Sequence, residues 1–341
     1  MTIEVERFAG GESEWDEFAS AQEGFTHFHR AGWRAVMESV FGHECVYLAA
    51  RNANGALVGV LPLVRVRSIV FGHYLVSMPF LNYGGPIGDD GGVRALVDEA
   101  IELARRDKVK LLEMRSSRPL AISLSASHRK ITVLLDLPPN PQALQKGFDA
   151  KLRSQIRRPL KEGVSVEFGV DHVEAFYEVF SRHMRDLGTP VQSVALFREI
   201  ARRFPDDSWF GVAYLRGAAV AAGCGFRFGS QFEMTWASSL REYNRESPNM
   251  LLYSKFMERA IAEGLTTFNF GRCTPGSGTH RFKMQWGGRE TPLWWYTFAA
   301  SGDATTPSPN DPAFSWGPRV WRRLPASIAT AVGPSIVRCI P

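Results

Sequence analysis

Apolar and polar positions along the chain follow two periods. Helical spacing marks Ser13–Ala21 and Arg30–Phe41, and strand-like spacing marks Val46–Arg51. The turn Asn52-Ala53-Asn54-Gly55 then leads into a second strand, Ala56–Val66, the pattern of a hairpin. An amphipathic stretch, Val93–Asp107, and a strand, Val109–Arg115, complete the first half. The same order returns in the second half. Helical Val173–Leu187 and Val194–Phe204 precede strands Trp209–Leu215 and Ala218–Phe228, which meet at Arg216-Gly217. Strand Phe232–Ser238, helix Asn249–Glu263 and strand Thr267–Phe270 follow. LARRDKVKLLEMR, ending at Arg115, and RAIAEGLTTFNFGR, ending at Arg272, each read as helix, polar break, strand and arginine. An echo at the same place in two matching element orders points to duplication.

Hairpins followed by a helix and a strand predict an α+β fold of two similar domains with mixed sheets flanked by helices. The prolines of Leu137-Pro138-Pro139-Asn140-Pro141 read as a stiff connector, giving domains at 1–137 and 141–300. Residues 301–341 form a basic, proline-containing tail, expected to dock on the second domain. No GxGxxG or GxxxxGK[ST] loop follows a strand, so dinucleotide and P-loop chemistry have no motif behind them.

Composition narrows the function classes. The chain has 341 residues, 45% of them hydrophobic, which suits two cores at ~150 residues per domain. A formal charge of +5 is too mild for a dedicated nucleic-acid binder and favours anionic small molecules as partners. Cys45, Cys224, Cys273 and Cys339 show no CxxC pair or metal-ligand spacing, so no metal site or disulfide framework is expected. The acidic, glycine-interrupted start lacks a signal-peptide pattern, and no window approaches the ~20 apolar residues of a membrane span. A cytoplasmic location is expected, with peripheral contact at the inner membrane face as a further option.

Candidate chemistry concentrates in Phe268–Gly288, FNFGRCTPGSGTHRFKMQWGG, where an apolar strand ends in a loop of small residues. Gly276 and Gly278 permit close backbone approach, Ser277 and Thr279 add hydroxyls, and Arg272, Arg281 and Lys283 add positive charge. A simple turn with solvated cations accounts for the same residues.

The longer stretch Ser247–Gly288 resembles the signature of FemAB-like proteins associated with exosortase (PEP-CTERM) and exopolysaccharide loci, within the GNAT-like acyltransferase superfamily. The likeness extends through LNYGGPIGDD (Leu81–Asp90), KLRSQIRRPLKEGVSV (Lys151–Val166) and the tail Trp321–Pro341. It implies two tandem GNAT-like domains and transfer of an acyl or aminoacyl group to an amine of a cell-envelope or exopolysaccharide precursor, an amino sugar or a peptide. Acyl-CoA or aminoacyl-tRNA would be the co-substrate, with no tightly bound cofactor. The Arg/Gln-x-x-Gly-x-Gly/Ala pyrophosphate loop of ordinary GNAT enzymes is missing. Arg241–Asn249 occupies its place, which puts acetyl-CoA in doubt as donor.

Amine attack on an ester or thioester needs donors aimed at the tetrahedral oxyanion and a group that accepts the amine proton. The FKxQWG segment resembles the one from which FemAB-like transferases present a functional lysine, so Lys283 is the first candidate for charge stabilisation; a surface lysine is the alternative. Arg272 would grip a phosphate or carboxylate, or else an acidic neighbour. Tyr243 and Glu233 are candidate proton-transfer groups, Glu233 being otherwise an outward-facing strand residue. Asn249 sits where exposed helix N–H groups could bind an anion or where a cap belongs.

Lys151, Arg153, Arg157, Arg158 and Lys161 share one helical stretch that could seat the phosphates of a nucleotide- or lipid-linked acceptor or a tRNA end; a solvated face is the alternative. Asn82 and Tyr83, with Gly84 and Gly85, form a loop that could line an acceptor cleft or simply turn before Pro86. The basic tail fits either an anionic membrane surface or a docked helix. The rival to an enzyme is a non-catalytic GNAT-fold protein that binds a polysaccharide precursor or a secretion partner.

Overall fold

The computed structural model describes residues 2–68, 71–300 and 317–340, which form two compact units. The first contains β1 (Ile3–Arg7), α1 (Glu12–Ser20), α2 (Trp33–Phe41), β2 (Glu44–Asn52), β3 (Leu57–Ser68), β4 (Gly72–Ser77), β5 (Ile87–Gly88), α3 (Asp90–Arg106), β6 (Leu111–Ser116) and β7 (Ala126–Ser127). The second opens with β8 (Ile131–Asp136), α4 (Pro141–Gly147), α5 (Ala150–Lys161), β9 (Ser165–Phe168), α6 (Val173–Leu187) and α7 (Val194–Arg203). It continues through β10 (Ser208–Leu215), β11 (Ala218–Phe228), β12 (Gln231–Ser239), α8 (Pro248–Ala262), β13 (Thr267–Cys273), α9 (Gly278–Met284) and β14 (Arg289–Pro292). Then β15 (Trp294–Phe298) returns to the first sheet, and α10 (Gly317–Trp321) and α11 (Ala326–Val337) close the chain. Both sheets are mixed, with helices against them.

The first sheet runs β1-β2-β3-β4-β6-β15-β7, and the second β14-β8-β13-β12-β11-β10-β9. In each, an antiparallel hairpin leads to a strand that pairs in parallel with the strand after the next long helix: β4 with β6 across α3, and β12 with β13 across α8. The β10–β11 hairpin turns on Arg216 and Gly217, both at positive φ, which suits the twist of the flanking strands. α8 is buried over most of its surface, and Phe256, Met257 and Ala260 are fully enclosed in the second core.

The units divide between Lys130 and Ile131, not at Leu137–Pro141. β8, which the expected boundary assigns to the first domain, pairs with β13 in the second sheet, while β15 supplies its counterpart to the first. The proline run is a helix start. Asn140 caps α4 by accepting from the Ala143 N–H at 2.8 Å, and Pro141 occupies the first turn, where a missing N–H costs nothing. The tail expected at 301–341 is described only from residue 317; its first part lies outside the described residues. No described helix is long and apolar enough to cross a membrane.

Candidate active site

β12 and β13 pair only over Gln231–Glu233 and Thr267–Asn269, then part company. Both strands are irregular just there. On β12, Met234 faces Gly225 and Trp236 faces Cys224, which leaves Thr235 as an extra residue, its hydroxyl buried without a hydrogen-bond partner. On β13, Phe270 and Gly271 together stand opposite Val133, with Gly271 at φ +71°. Paired bulges of this kind re-aim side chains and end pairing, so two parallel strands open where their backbone groups leave the ladder.

Four side chains meet at this fork. Lys283, from α9, is 4% exposed, and its Nζ donates to the carbonyl oxygens of Gly271 at 2.6 Å and Arg272 at 3.1 Å. The first of these carbonyls belongs to the β13 bulge, and the second to the residue that follows it. An ammonium carries three N–H donors, and these two bonds use two of them. Burial brings the Lys283 pKa down to about 8; Cys273 and Glu233 oppose the shift and Arg272 adds to it. Glu233 is fully buried and points inward, not outward, and it accepts from Asn269 Nδ2 at 3.3 Å. Asn269 is itself fixed, because its Oδ1 accepts from Thr132 Oγ1 at 2.5 Å and from the Gly271 N–H at 2.8 Å. The arrangement provides a nearly dry cation, a buried carboxylate and a rigid amide at the mouth of an unpaired strand edge.

The other sequence-derived candidates fall in different places. Ser277 caps α9 by accepting from the His280 N–H at 3.1 Å, and Arg281 ties back to the Gly276 carbonyl at 2.8 Å. The glycine-rich segment Gly276–Thr279 is therefore the exposed entry to α9, the helix that carries Lys283. Arg272 is half-buried at the end of β13. Tyr243 closes the short 3-10 turn Arg241–Tyr243 and packs partly against the second core. Asn249 lies in the first turn of α8, whose cap residue Ser247 is left-handed and makes no side-chain cap bond; the Asn249 Oδ1 is buried without a partner.

Arg153, Arg157, Arg158 and Lys161 line a concavity of about 440 Å³ along α5, together with Ser154 and Glu162. Arg153 donates to the Phe148 carbonyl, and Arg158 reaches the Arg245 carbonyl at 3.2 Å, in the turn before α8. Pro159 lies in the last turn of α5 and does not prevent the helix from forming.

In the first unit the loop after β4 closes the equivalent fork. β4 and β6 pair over Tyr74–Val76 and Leu111–Glu113, after which the N–H groups of Gly84 and Gly85 both donate to the Arg115 carbonyl, at 3.1 and 2.8 Å. Arg115 folds back on Glu113, Nε to Oε1 at 2.7 Å, with its guanidinium over the Trp295 ring. Tyr83 and Asn82 are buried, Tyr83 against Phe28, so neither lines an open surface. The sequence shows the glycines of that loop but not that they are spent on β6.

Residues 147–284 match the acetyltransferase (GNAT) domain. That span runs from α5 through the fork to Lys283. The chain is also similar in fold to solved structures. The crystal structure of FemX is similar over 87% of this chain and 98% of its own, at 15% identity and a TM-score of 0.65. A tandem GNAT protein from the clavulanic acid biosynthesis pathway matches over 89% and 100%, at 14% identity and 0.54. L-PGS from Bacillus licheniformis matches over 85% and 96%, at 10% identity and 0.53. No curated protein matches the sequence. The fold is thus a tandem GNAT-like one, with mixed sheets in both units.

Sequence reasoning missed Asn269, Thr132 and Thr235. A lone asparagine inside the apolar strand FNFG is a visible signal; for the two threonines there is none, since their role depends on bulges and on a partner strand far away in sequence. Among the described residues, no group of three His, Cys, Asp or Glu side chains could hold a metal ion.

Proposed function

We propose that the chain is an N-acyltransferase that moves an acyl or aminoacyl group onto an amine of an anionic cell-envelope or exopolysaccharide precursor, amino sugar or peptide, at the β12–β13 fork. The observation that carries this reading is Lys283, a buried ammonium beside an opened parallel strand pair. Past Glu233, the β12 edge has no β13 partner, so an extended, amide-bearing donor arm could complete its ladder. The acyl carbonyl would then lie near Lys283, whose charge stabilises the tetrahedral oxyanion. The bond formed is N–C and the bond broken is the donor's C–S or C–O. The proton lost by the amine passes to the Glu233 carboxylate, and the Tyr243 hydroxyl supplies a proton to the departing sulfur or oxygen. Asn269 holds Glu233 in place.

Phosphates need a different seat from the missing glycine loop. The α5 groove with Arg153 and Arg157 supplies one, and the Arg158–Arg245 bond sets it beside the turn that leads into α8, where Asn249 and the uncapped helix start add N–H donors. Acyl-CoA, aminoacyl-tRNA and a nucleotide- or lipid-linked acceptor all carry phosphates, so the groove fits the class without choosing the donor. Arg272 and the Gly276–Thr279 entry, with Arg281, border the same fork and are assigned to substrate contact.

The test is turnover with each donor in the presence of amino-sugar nucleotides and envelope peptides, read as free CoA thiol or deacylated tRNA. Loss of one well-placed oxyanion donor costs about 10²–10³ in kcat, which is the drop expected for Lys283→Ala. Binding of a precursor with no turnover from any donor, weakened by Lys283→Ala, would replace this reading with the non-catalytic one.

A further inference from the structure

We infer that the C-terminal helical segment of the second unit, residues 317–334, is a docking surface for an anionic lipid bilayer. This stands independently of the reaction. The inner side of the segment is fastened to the second unit. Trp321 and Ala329 are buried, Gly333 sits against the Val191 backbone with no room for a Cβ, and Arg322 donates to the Leu187 carbonyl at 3.2 Å.

The outer side is the anomaly. A helix docked on a globular unit turns polar residues to water, yet α11 contains no charged residue, and Ile328 and Val332, one turn apart, face out. Val320 on α10 and Leu187 beside it are also exposed. These four are 43–51% accessible and make up four of the six exposed large apolar side chains among the described residues. Single exposed apolar residues are ordinary, but three on one short segment with a fourth beside it are not.

Charge selects the occupant. Arg319, Arg322 and Arg323 are exposed next to these side chains, and residues 317–334 contain no Asp or Glu. A second copy of the chain would set the same arginines against each other, whereas anionic headgroups complement them and the acyl boundary takes the isoleucine and valines. The segment would lie on the membrane, since α11 is too short to cross it.

The experiment is co-sedimentation of the full chain with vesicles of phosphatidylcholine alone or mixed with phosphatidylglycerol, at low and high salt. Two variants are compared, Ile328→Asp with Val332→Asp, and Arg319→Gln with Arg323→Gln, each checked for its fold by circular dichroism. Partition onto the phosphatidylglycerol vesicles alone is expected. It should weaken about fivefold for each arginine removed, fall at least tenfold in the aspartate variant, and decline with salt. Failure to partition, or partition that neither variant changes, overturns the inference. So does a dimer that the aspartate variant dissociates without any lipid binding, because the face then belongs to a second copy.

Discussion

Lys283 is the side chain on which most depends, and its titration can be followed by two independent readouts. Its pKa is about 8 when folded, against an ordinary value of 10.5, so between these values the unfolded chain holds more protons and stability rises with pH. Below about 8 the buried ammonium is a burden of roughly 3 kcal/mol, the energy of the shift, and that burden is relieved by pH 10.5. Lys283→Met should remove this rise, so the stability of the native protein relative to the variant should climb with pH across that window in denaturant titrations. Catalysis runs the other way. The ammonium that stabilises an oxyanion is present below about 8 and lost above it, so the native rate should fall along a limb centred there. A rate that instead rises through pH 8 would make the lysine a base and would overturn its assigned role. The sequence showed that a lysine stands in this segment; its burial could not be read, because it follows from the two β13 carbonyls, one of them in the bulge, that the side chain satisfies.

The elements of each half were largely legible, because helical and strand periods are local. The expected strand Thr267–Phe270 and helix Asn249–Glu263 correspond to β13 and α8 with only their ends displaced. The bulges were not legible, since a bulge is a relation between two strands. The β12 bulge can be tested at Gly225, which stands opposite Met234. A Cβ there would lie 2.1 Å from the Glu233 carbonyl oxygen, a backbone atom that can yield only if β12 moves. Gly225→Ala should therefore destabilise by at least the ~1–3 kcal/mol of ordinary overpacking and lower the rate by displacing Glu233. Gly147→Ala, at a site with nothing within 4 Å, is the control and should neither destabilise the fold nor lower the rate. Thermal unfolding and turnover of the two variants check this. Equal behaviour would mean that the fork tolerates movement of β12.

At the scale of the whole molecule, chain order and unit order differ. Duplication was readable from the repeated element order, but the exchange of β8 and β15 between sheets was not, because hydrophobic periods identify strands without identifying their sheet. The consequence is measurable. A fragment ending at residue 137 keeps β1–β7 but lacks β15, which stands between β6 and β7 and contributes Trp295 and Tyr296, the latter accepting from the Leu120 N–H at 2.8 Å. Losing a buried aromatic side chain costs about 3–5 kcal/mol, and a domain has only about 5–15 kcal/mol in total, so the loss of two with a central strand should leave this fragment unfolded. Joining Lys130 to Pro292 through a short glycine-serine linker restores β15, and the chain ends already meet there, with the Leu293 N–H donating to the Lys130 carbonyl at 3.1 Å. That fusion should show a cooperative unfolding transition by far-ultraviolet circular dichroism where the 1–137 fragment shows none. If both fold equally well, β15 is dispensable to the first core, and the exchange of strands carries no stability.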